Sequence, residues 1–67
     1  MKENEVRNLP AAVDVVTAGK ALGLGRSKSY ALAQSGDFPI PLMRLGAQYR
    51  ARRADLLALL GIPDQTK

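Results

Sequence analysis

Apolar residues recur at helical spacing near the start of the chain. Between positions 15 and 22 they lie three and four residues apart, which predicts a first helix over residues 15–22. Asp14 can cap its free amide groups, and Thr17 is an alternative cap that would shorten the helix. Gly19 inside this helix costs about 1 kcal/mol relative to alanine. We interpret it as a point where a second helix approaches closely.

A second, more polar helix is predicted after the glycine-containing break at residues 23–25. It begins after Gly25 in the N-cap position, covers Arg26–Ser35 and ends at Gly36. Its buried side is predicted to hold Ser29, Leu32 and Ala33. Helix, tight turn and second helix are typical of a helix-turn-helix motif, whose second helix enters the DNA major groove.

Alternation with a period of two predicts a β-hairpin after the proline-stiffened connection at residues 37–41. The alternation continues on both sides of a turn at residues 46–47. We assign the apolar positions to an inward face, namely Met43, Leu45, Tyr49 and Ala51. We assign the polar positions to an outward face, namely Arg44, Gln48, Arg50 and Arg52. A hairpin that follows a helix-turn-helix motif is a wing.

Four leucines between positions 56 and 60 predict a last helix that starts near Arg53 and ends at Gly61. With about two turns, it is too short for a coiled-coil seam, so we expect its leucines to fill the core. The predicted fold is therefore mainly α with a small β-hairpin, a winged helix-turn-helix of three short helices and a two-stranded wing. It occupies residues 12–62, between a flexible N-terminal arm (1–11) and a C-terminal tail (63–67).

Charge strengthens the DNA interpretation. The 67 residues carry a net charge of +4, and between Lys20 and Arg53 there are seven basic residues and one acidic residue. Clustered positive charge is typical of a protein that binds a polyanion. The alternative is a basic surface that serves solubility alone, which leaves the clustering unexplained.

Composition removes several other functions. The chain contains no cysteine and no histidine, so disulfides and the usual zinc ligands are excluded. No apolar run approaches the ~20 residues of a membrane span, and the first residues lack the apolar core of a signal peptide. We expect a cytoplasmic, nucleoid-associated protein that needs no cofactor, metal or small-molecule ligand.

Catalysis is not expected. There is neither a histidine base nor a thiol nucleophile, and the six acidic residues are scattered. Ser27 and Lys28 are neighbours on a helix and point in different directions, so they do not form a catalytic pair. Residues 19–27 faintly resemble a phosphate-binding loop, but the spacing is wrong and Arg26 stands where lysine belongs.

The run DVVTAGKALGLGRSKSY at residues 14–30 resembles the opening helix-turn-helix of excisionase-type, AlpA-like and MerR-like winged-helix domains. GDFP at residues 36–39, RLG at 44–46, YR at 49–50 and RADLL at 53–57 are similar to the wing and closing helix of that family. The resemblance covers residues 13–62. The chain departs from the family by having Ala47 and Gln48 where members often have basic residues, and Gly25 where the cap is often serine or threonine.

The resemblance implies a protein that binds double-stranded DNA. By the resemblance, the recognition helix would contact the major groove through Arg26, Ser27, Lys28 and Tyr30, and the wing would contact the backbone through Arg50. The polar faces of the two predicted elements add Gln34 on the helix, and Arg44, Gln48 and Arg52 on the wing, as further residues that would contact DNA. Many members are phage or plasmid excisionases, which bind and bend attachment-site DNA, direct an integrase towards excision and associate cooperatively on DNA.

Two other functions stay open at this point. One is a small transcriptional regulator of phage or plasmid genes, which the residues do not distinguish from an excisionase. The other is a protein-interaction module, because a fold does not determine a function.

Overall fold

The computed structural model describes residues 1–63 and contains helices and strands in mixed order. The elements are α1 (Glu3–Arg7), β1 (Ala12–Asp14), α2 (Val15–Ala21), α3 (Arg26–Ser35), β2 (Leu42–Leu45), β3 (Gln48–Arg52) and α4 (Arg53–Leu60). Over this part of the chain the fold is a small mixed α/β domain with four helices and a three-stranded antiparallel sheet. The described residues therefore contain one more helix and one more strand than the three helices and two strands predicted from the sequence.

The two central helices have the predicted positions. Asp14 caps α2, since its Oδ1 accepts a hydrogen bond of 2.8 Å from the backbone N–H of Thr17, and the alternative cap at Thr17 is not used. Helix α3 begins after Gly25 and ends at Gly36, which has a φ of 79°. Glycine reaches this left-handed conformation without the strain that a side chain would cause, so Gly36 sets the end of α3.

Helices α2 and α3 cross at Gly19 and Ser29. Both residues are buried, and Ser29 is 0% exposed. The Ser29 hydroxyl donates a hydrogen bond of 2.8 Å to the carbonyl oxygen of Gly25, which satisfies the buried polar group. A methyl group built on Gly19 would overlap Ser29 Oγ. The close approach predicted at Gly19 is thus confirmed, and it fixes how α3 is presented.

The sheet has the strand order β1-β3-β2. Strand β1 was not predicted, and its three residues pair antiparallel with β3, with Val13 opposite Ala51 and Asp14 opposite Arg50. Val13 and Ala51 are buried in the core, at 4% and 0% exposure. Strand β1 thereby places the start of α2 directly beside the hairpin.

The hairpin forms as predicted, but the assignment of its faces is wrong for β2. Leu45 pairs with Gln48 across a two-residue turn, and Arg44 pairs with Tyr49. Directly paired residues project from the same face of a sheet. Leu42, Arg44, Tyr49 and Ala51 therefore share the core-side face, and Met43, Leu45, Gln48, Arg50 and Arg52 share the outer face.

The structure also differs from the prediction of a flexible N-terminal arm. Instead of a loose arm, residues 3–7 form α1, and Val6 is 1% exposed within the hydrophobic core. Leu9 packs against the same core. A single buried valine and one partly buried leucine give too weak a periodicity to be recognised in a polar segment, yet they are enough to dock a short helix.

Helix α4 divides its leucines between core and surface. Leu56 and Leu57 are buried, at 0% and 2% exposure, whereas Leu59 and Leu60 are 49% and 39% exposed. Gly61 ends the helix with a φ of 70°, as predicted. Apart from Pro63, the predicted tail lies outside the described residues. Within residues 1–63 there is no helix long and apolar enough to cross a bilayer.

Arg53 connects α4 to the N-terminal segment. Its guanidinium donates a hydrogen bond of 2.6 Å to the carbonyl oxygen of Arg7, and its backbone N–H donates to the carbonyl oxygen of Ala11 at 2.8 Å. The side chain is half-buried and its Nε is fully enclosed. Arg53 is one of the seven basic residues between positions 20 and 53, but its role is structural, because it holds the N-terminal segment against α4.

Replacing Arg53 with alanine is expected to lower the free energy of unfolding by about 2 kcal/mol, because a charged, partly buried hydrogen bond is lost. Urea denaturation monitored by circular dichroism measures this change. Arg52→Ala is the matched control: Arg52 lies in an exposed ion pair with Asp55, worth at most about 1 kcal/mol. An equal loss in both variants would contradict the structural position of Arg53.

Candidate nucleic-acid interface

Helix α3 presents a polar face to solvent. Ser29 and Ala33 are buried against the rest of the domain, so the helical period turns the other residues outward. The exposed residues include all five predicted to contact the major groove, namely Arg26, Ser27, Lys28, Tyr30 and Gln34. Tyr30 is 50% exposed, so its ring is available to a ligand. The structure brings these five side chains together on one helix; their role in binding remains a prediction.

Three of the four predicted wing residues share one face of the hairpin, and the fourth lies on the other face. Gln48, Arg50 and Arg52 are on the outer face of the hairpin, but Arg44 is on the core-side face. There the Arg44 guanidinium lies over the Tyr49 ring, 5.5 Å from its centroid, a cation–π arrangement. The prediction that all four share one face is wrong for Arg44, because a two-residue turn reverses the relation between odd and even positions in the two strands.

The Asp14 carboxyl lies within the electrostatic influence of both α3 and the hairpin. Hydrogen bonds from the side chain and backbone of Thr17 lower the pKa of the Asp14 carboxyl, and the positive charges of Arg50 and Arg26 lower this pKa further, against a small opposing effect of burial. Arg26 begins α3, whereas Arg50 lies in β3 directly opposite Asp14. Two cations from separate elements therefore act on one carboxylate.

An open cleft follows the same junction. Its lining comes from the start of α2, from α3 and from the hairpin, and consists of Asp14, Val15, Tyr30, Ala47, Gln48, Tyr49 and Arg50. We call this lining, together with Arg26, the α3–β3 surface. It combines cations, amide and hydroxyl groups and an aromatic ring. These are the groups that proteins use to contact phosphates and base edges.

Other basic residues are engaged elsewhere. Arg52 Nε donates to Asp55 Oδ2 at 2.9 Å, and Arg53 holds the carbonyl oxygen of Arg7. Arg50 donates to the Gln48 side-chain oxygen at 3.1 Å, which orients its guanidinium without neutralising it. In the part of the chain that the structure describes, neither Arg26 nor Lys28 forms an ion pair. The positive charge of the α3–β3 surface therefore comes from Arg26 and Arg50, and Lys28 is exposed elsewhere on α3.

Sequence reasoning missed two residues of this surface. For Asp14 the sequence predicts only a helix cap. Nothing in its local sequence indicates that Arg50 lies opposite it in the sheet. Tyr49 was assigned to the core, but it is half-buried and lines the cleft. A signal for Tyr49 does exist: a two-residue turn pairs it with Arg44, which places the ring beneath a guanidinium.

Comparison with family models, with curated proteins and with solved structures finds no match to this chain. Within residues 1–63, no three histidine, cysteine, aspartate or glutamate side chains cluster in a way that could hold a metal ion. The geometry of the α3–β3 surface is therefore the basis of the functional argument.

Stability is expected to depend on pH through Asp14. Its pKa is lower in the folded state than in the unfolded chain, so its stabilising effect is complete above the unfolded value of about 3.9 and is lost as the pH falls through the folded pKa. Asp14→Ala is expected to lose about 1 kcal/mol of unfolding free energy at pH 7, and less at pH 2.5, because the cap disappears. Thermal or urea denaturation at both pH values measures this difference.

Asp14→Asn is the control, because asparagine caps nearly as well as aspartate but does not titrate. It should be nearly as stable as the parent at pH 7 and relatively more stable at pH 2.5. If Asp14→Ala costs the same at the two pH values, the carboxylate does not stabilise the start of α2.

Proposed function

We propose that this chain is a sequence-specific DNA-binding protein with a winged helix-turn-helix fold, in which α3 enters the major groove and the β2–β3 hairpin contacts the neighbouring backbone. One observation carries the proposal. Tyr30 of α3 and Gln48 and Arg50 of the hairpin line one open cleft, so helix and hairpin border a common surface. The positive charges of Arg26 and Arg50 both act on the Asp14 carboxylate of the same cleft. A DNA duplex, which is a stiff polyanion, would therefore contact α3 and the hairpin at the same time.

The dimensions of α3 suit this placement. Ten helical residues extend about 15 Å, and the major groove is about 12 Å wide and admits a helix. Arg26 and Lys28 lie in the first turn of α3, the part of a recognition helix that reaches base edges. Both side chains suit the acceptors of guanine, and Gln34 suits adenine. We assign base contacts to these residues and a backbone contact to Arg50.

The proposed biological role is that of an excisionase, as the resemblance of residues 13–62 implies. In this role the protein binds repeated sites beside an attachment site and directs an integrase towards excision. A small domain of four helices and three strands that contacts DNA through one surface would be sufficient for a protein that positions DNA for a separate recombinase.

The first experiment selects duplexes from a random pool and follows binding to the selected duplex and to random duplex over a range of salt concentrations. We expect steep salt dependence and a preference of about a hundredfold or more for the selected sequence. Steep salt dependence without preference would leave only non-specific binding. If neither duplex is bound at low salt, the DNA proposal fails and a protein partner becomes the first hypothesis.

A second experiment separates recombination from transcription. The selected sequence is located in the surrounding genome, and the protein is added to an excision reaction with the integrase encoded nearest to it. Stimulation of excision supports the excisionase role. Selected sites that lie only in promoters, with no effect on excision, would replace this role by transcriptional regulation.

A further inference from the structure

The tip of the hairpin carries an exposed leucine that the contacts proposed so far do not use. Leu45 is 58% exposed, the highest value among the exposed large apolar residues of the described chain. It is the last residue of β2 and precedes the tight turn at Gly46, whose φ is 64°. All residues from 44 to 48 are exposed, so the tip stands clear of the core.

The leucine lies among polar and positively charged neighbours. It is paired directly with Gln48, and both project from the outer face that also carries Arg50. Leu45 therefore shares its face of the hairpin with Arg50, to which we assign a contact with the DNA backbone. An isolated apolar side chain at the end of a cationic ribbon suits a partner that has an anionic exterior and an apolar interior.

The tip is also held in shape. Arg44 Nε donates to the Gly46 carbonyl oxygen at 3.4 Å, and the same guanidinium lies over the Tyr49 ring. Both contacts connect the turn to the strands behind it. These two contacts restrict the conformations that the tip can adopt.

We propose that Leu45 is an apolar wedge that enters the minor groove beside the sequence read by α3 and inserts between two base pairs. Leucine is among the side chains that partly unstack a base step in this way and kink the duplex towards the major groove. The wedge explains how a hairpin with Ala47 and Gln48 in place of basic residues can engage the minor groove. This inference rests on the proposed DNA binding.

The test uses the duplex selected by the unaltered protein, labelled at both ends for fluorescence energy transfer and carrying 2-aminopurine at successive positions on the hairpin side. Bound protein should shorten the end-to-end distance and raise 2-aminopurine fluorescence at one step. Leu45→Ala should abolish the fluorescence rise and reduce the bend. Its affinity should fall by less than about tenfold, because the unstacking cost disappears together with the contact.

Two variants serve as controls, and circular dichroism verifies that every variant folds. Leu45→Met should retain both signals, since methionine also acts as a wedge. Leu59→Ala removes another exposed leucine, 49% exposed on α4, and should change neither signal. The salt slope should be the same for the parent and Leu45→Ala, because no phosphate contact is lost.

The wedge is overturned if the parent binds the duplex without any rise in 2-aminopurine fluorescence, or if Leu45→Ala bends it equally. It is likewise overturned if Leu45→Ala loses only cooperative binding of neighbouring copies, since Leu45 would then be a protein contact. In each of these cases DNA binding itself still stands. If the parent binds no duplex at all, the wedge and the proposed function fail together.

Discussion

Replacing Gly19 with alanine is expected to lower the free energy of unfolding by about 3 kcal/mol or more, at the upper end of overpacking effects. The new methyl group would overlap Ser29 Oγ and lie 2.8 Å from Ser29 Cβ. Ser29 is fully buried and bonded to Gly25, so it has no room to move away. Because a domain of this size has only a few kcal/mol of stability, much of the protein should be unfolded at 37 °C. Urea denaturation at 10 °C and 37 °C measures this loss.

Two further variants make the test specific. Gly25→Ala adds a methyl group where nothing lies within 4 Å and φ is −75°, so it should cost less than about 1 kcal/mol, through a weaker cap alone. Ser29→Gly in the Gly19→Ala background removes both clashing atoms and should restore part of the stability. If Gly19→Ala costs no more than Gly25→Ala, the α2–α3 crossing is looser than described.

Helix ends could be predicted from the sequence because their signals are local. Asp14 caps α2 through a residue three positions later, and Gly36 and Gly61 end α3 and α4 by adopting a left-handed conformation. Each of these signals lies within a few residues of the feature that it sets. The same holds for the apolar and polar faces of α3, which follow from the helical period.

Elements stabilised by distant parts of the chain could not be predicted in this way. Strand β1 has three residues and exists through its pairing with β3, nearly forty positions later in the chain. Helix α1 has five residues and is held by Val6 in the core and by the contact of Arg53 with the Arg7 carbonyl. Neither is long enough to show its own periodicity. The local signals of α1, namely two glutamates in its first turn and a Glu5 carboxylate that accepts from the Lys2 backbone N–H, do not by themselves distinguish a helix from a polar arm.

In the candidate site, too, some residue positions follow from the local sequence and others depend on distant parts of the chain. Exposure of Arg26 and Lys28 follows from the period of α3, but the position of each hairpin arginine depends on its neighbours. Arg44 lies on the core-side face because of the turn length, and Arg52 is paired with Asp55 in the first turn of α4. Residue type and alternation are enough to predict a basic hairpin. The strand register is needed to show that Arg50 lies opposite Asp14 and borders the same cleft as Tyr30 of α3.

The proposed function predicts different effects for the two kinds of cation. Lys28→Ala should weaken binding to the selected duplex by about tenfold to a hundredfold and change binding to random DNA much less, because a base contact contributes about 1–3 kcal/mol of discrimination. Arg50→Ala should weaken binding to both duplexes similarly and reduce the salt slope by about one, as the loss of a phosphate contact requires. Fluorescence anisotropy with both duplexes at four salt concentrations measures affinities and slopes.

The control for both variants is Arg52→Ala, since Arg52 carries the same charge on the same face of the hairpin but is paired with Asp55. It should change binding less than Arg50→Ala does, although the net charge falls equally. This comparison separates a defined contact from general attraction, because general attraction depends on charge and not on which arginine is removed. If Lys28→Ala leaves the preference for the selected duplex unchanged, α3 does not read bases. If Arg50→Ala and Arg52→Ala have the same effect, the surface shared by Arg26 and Arg50 is not the DNA interface.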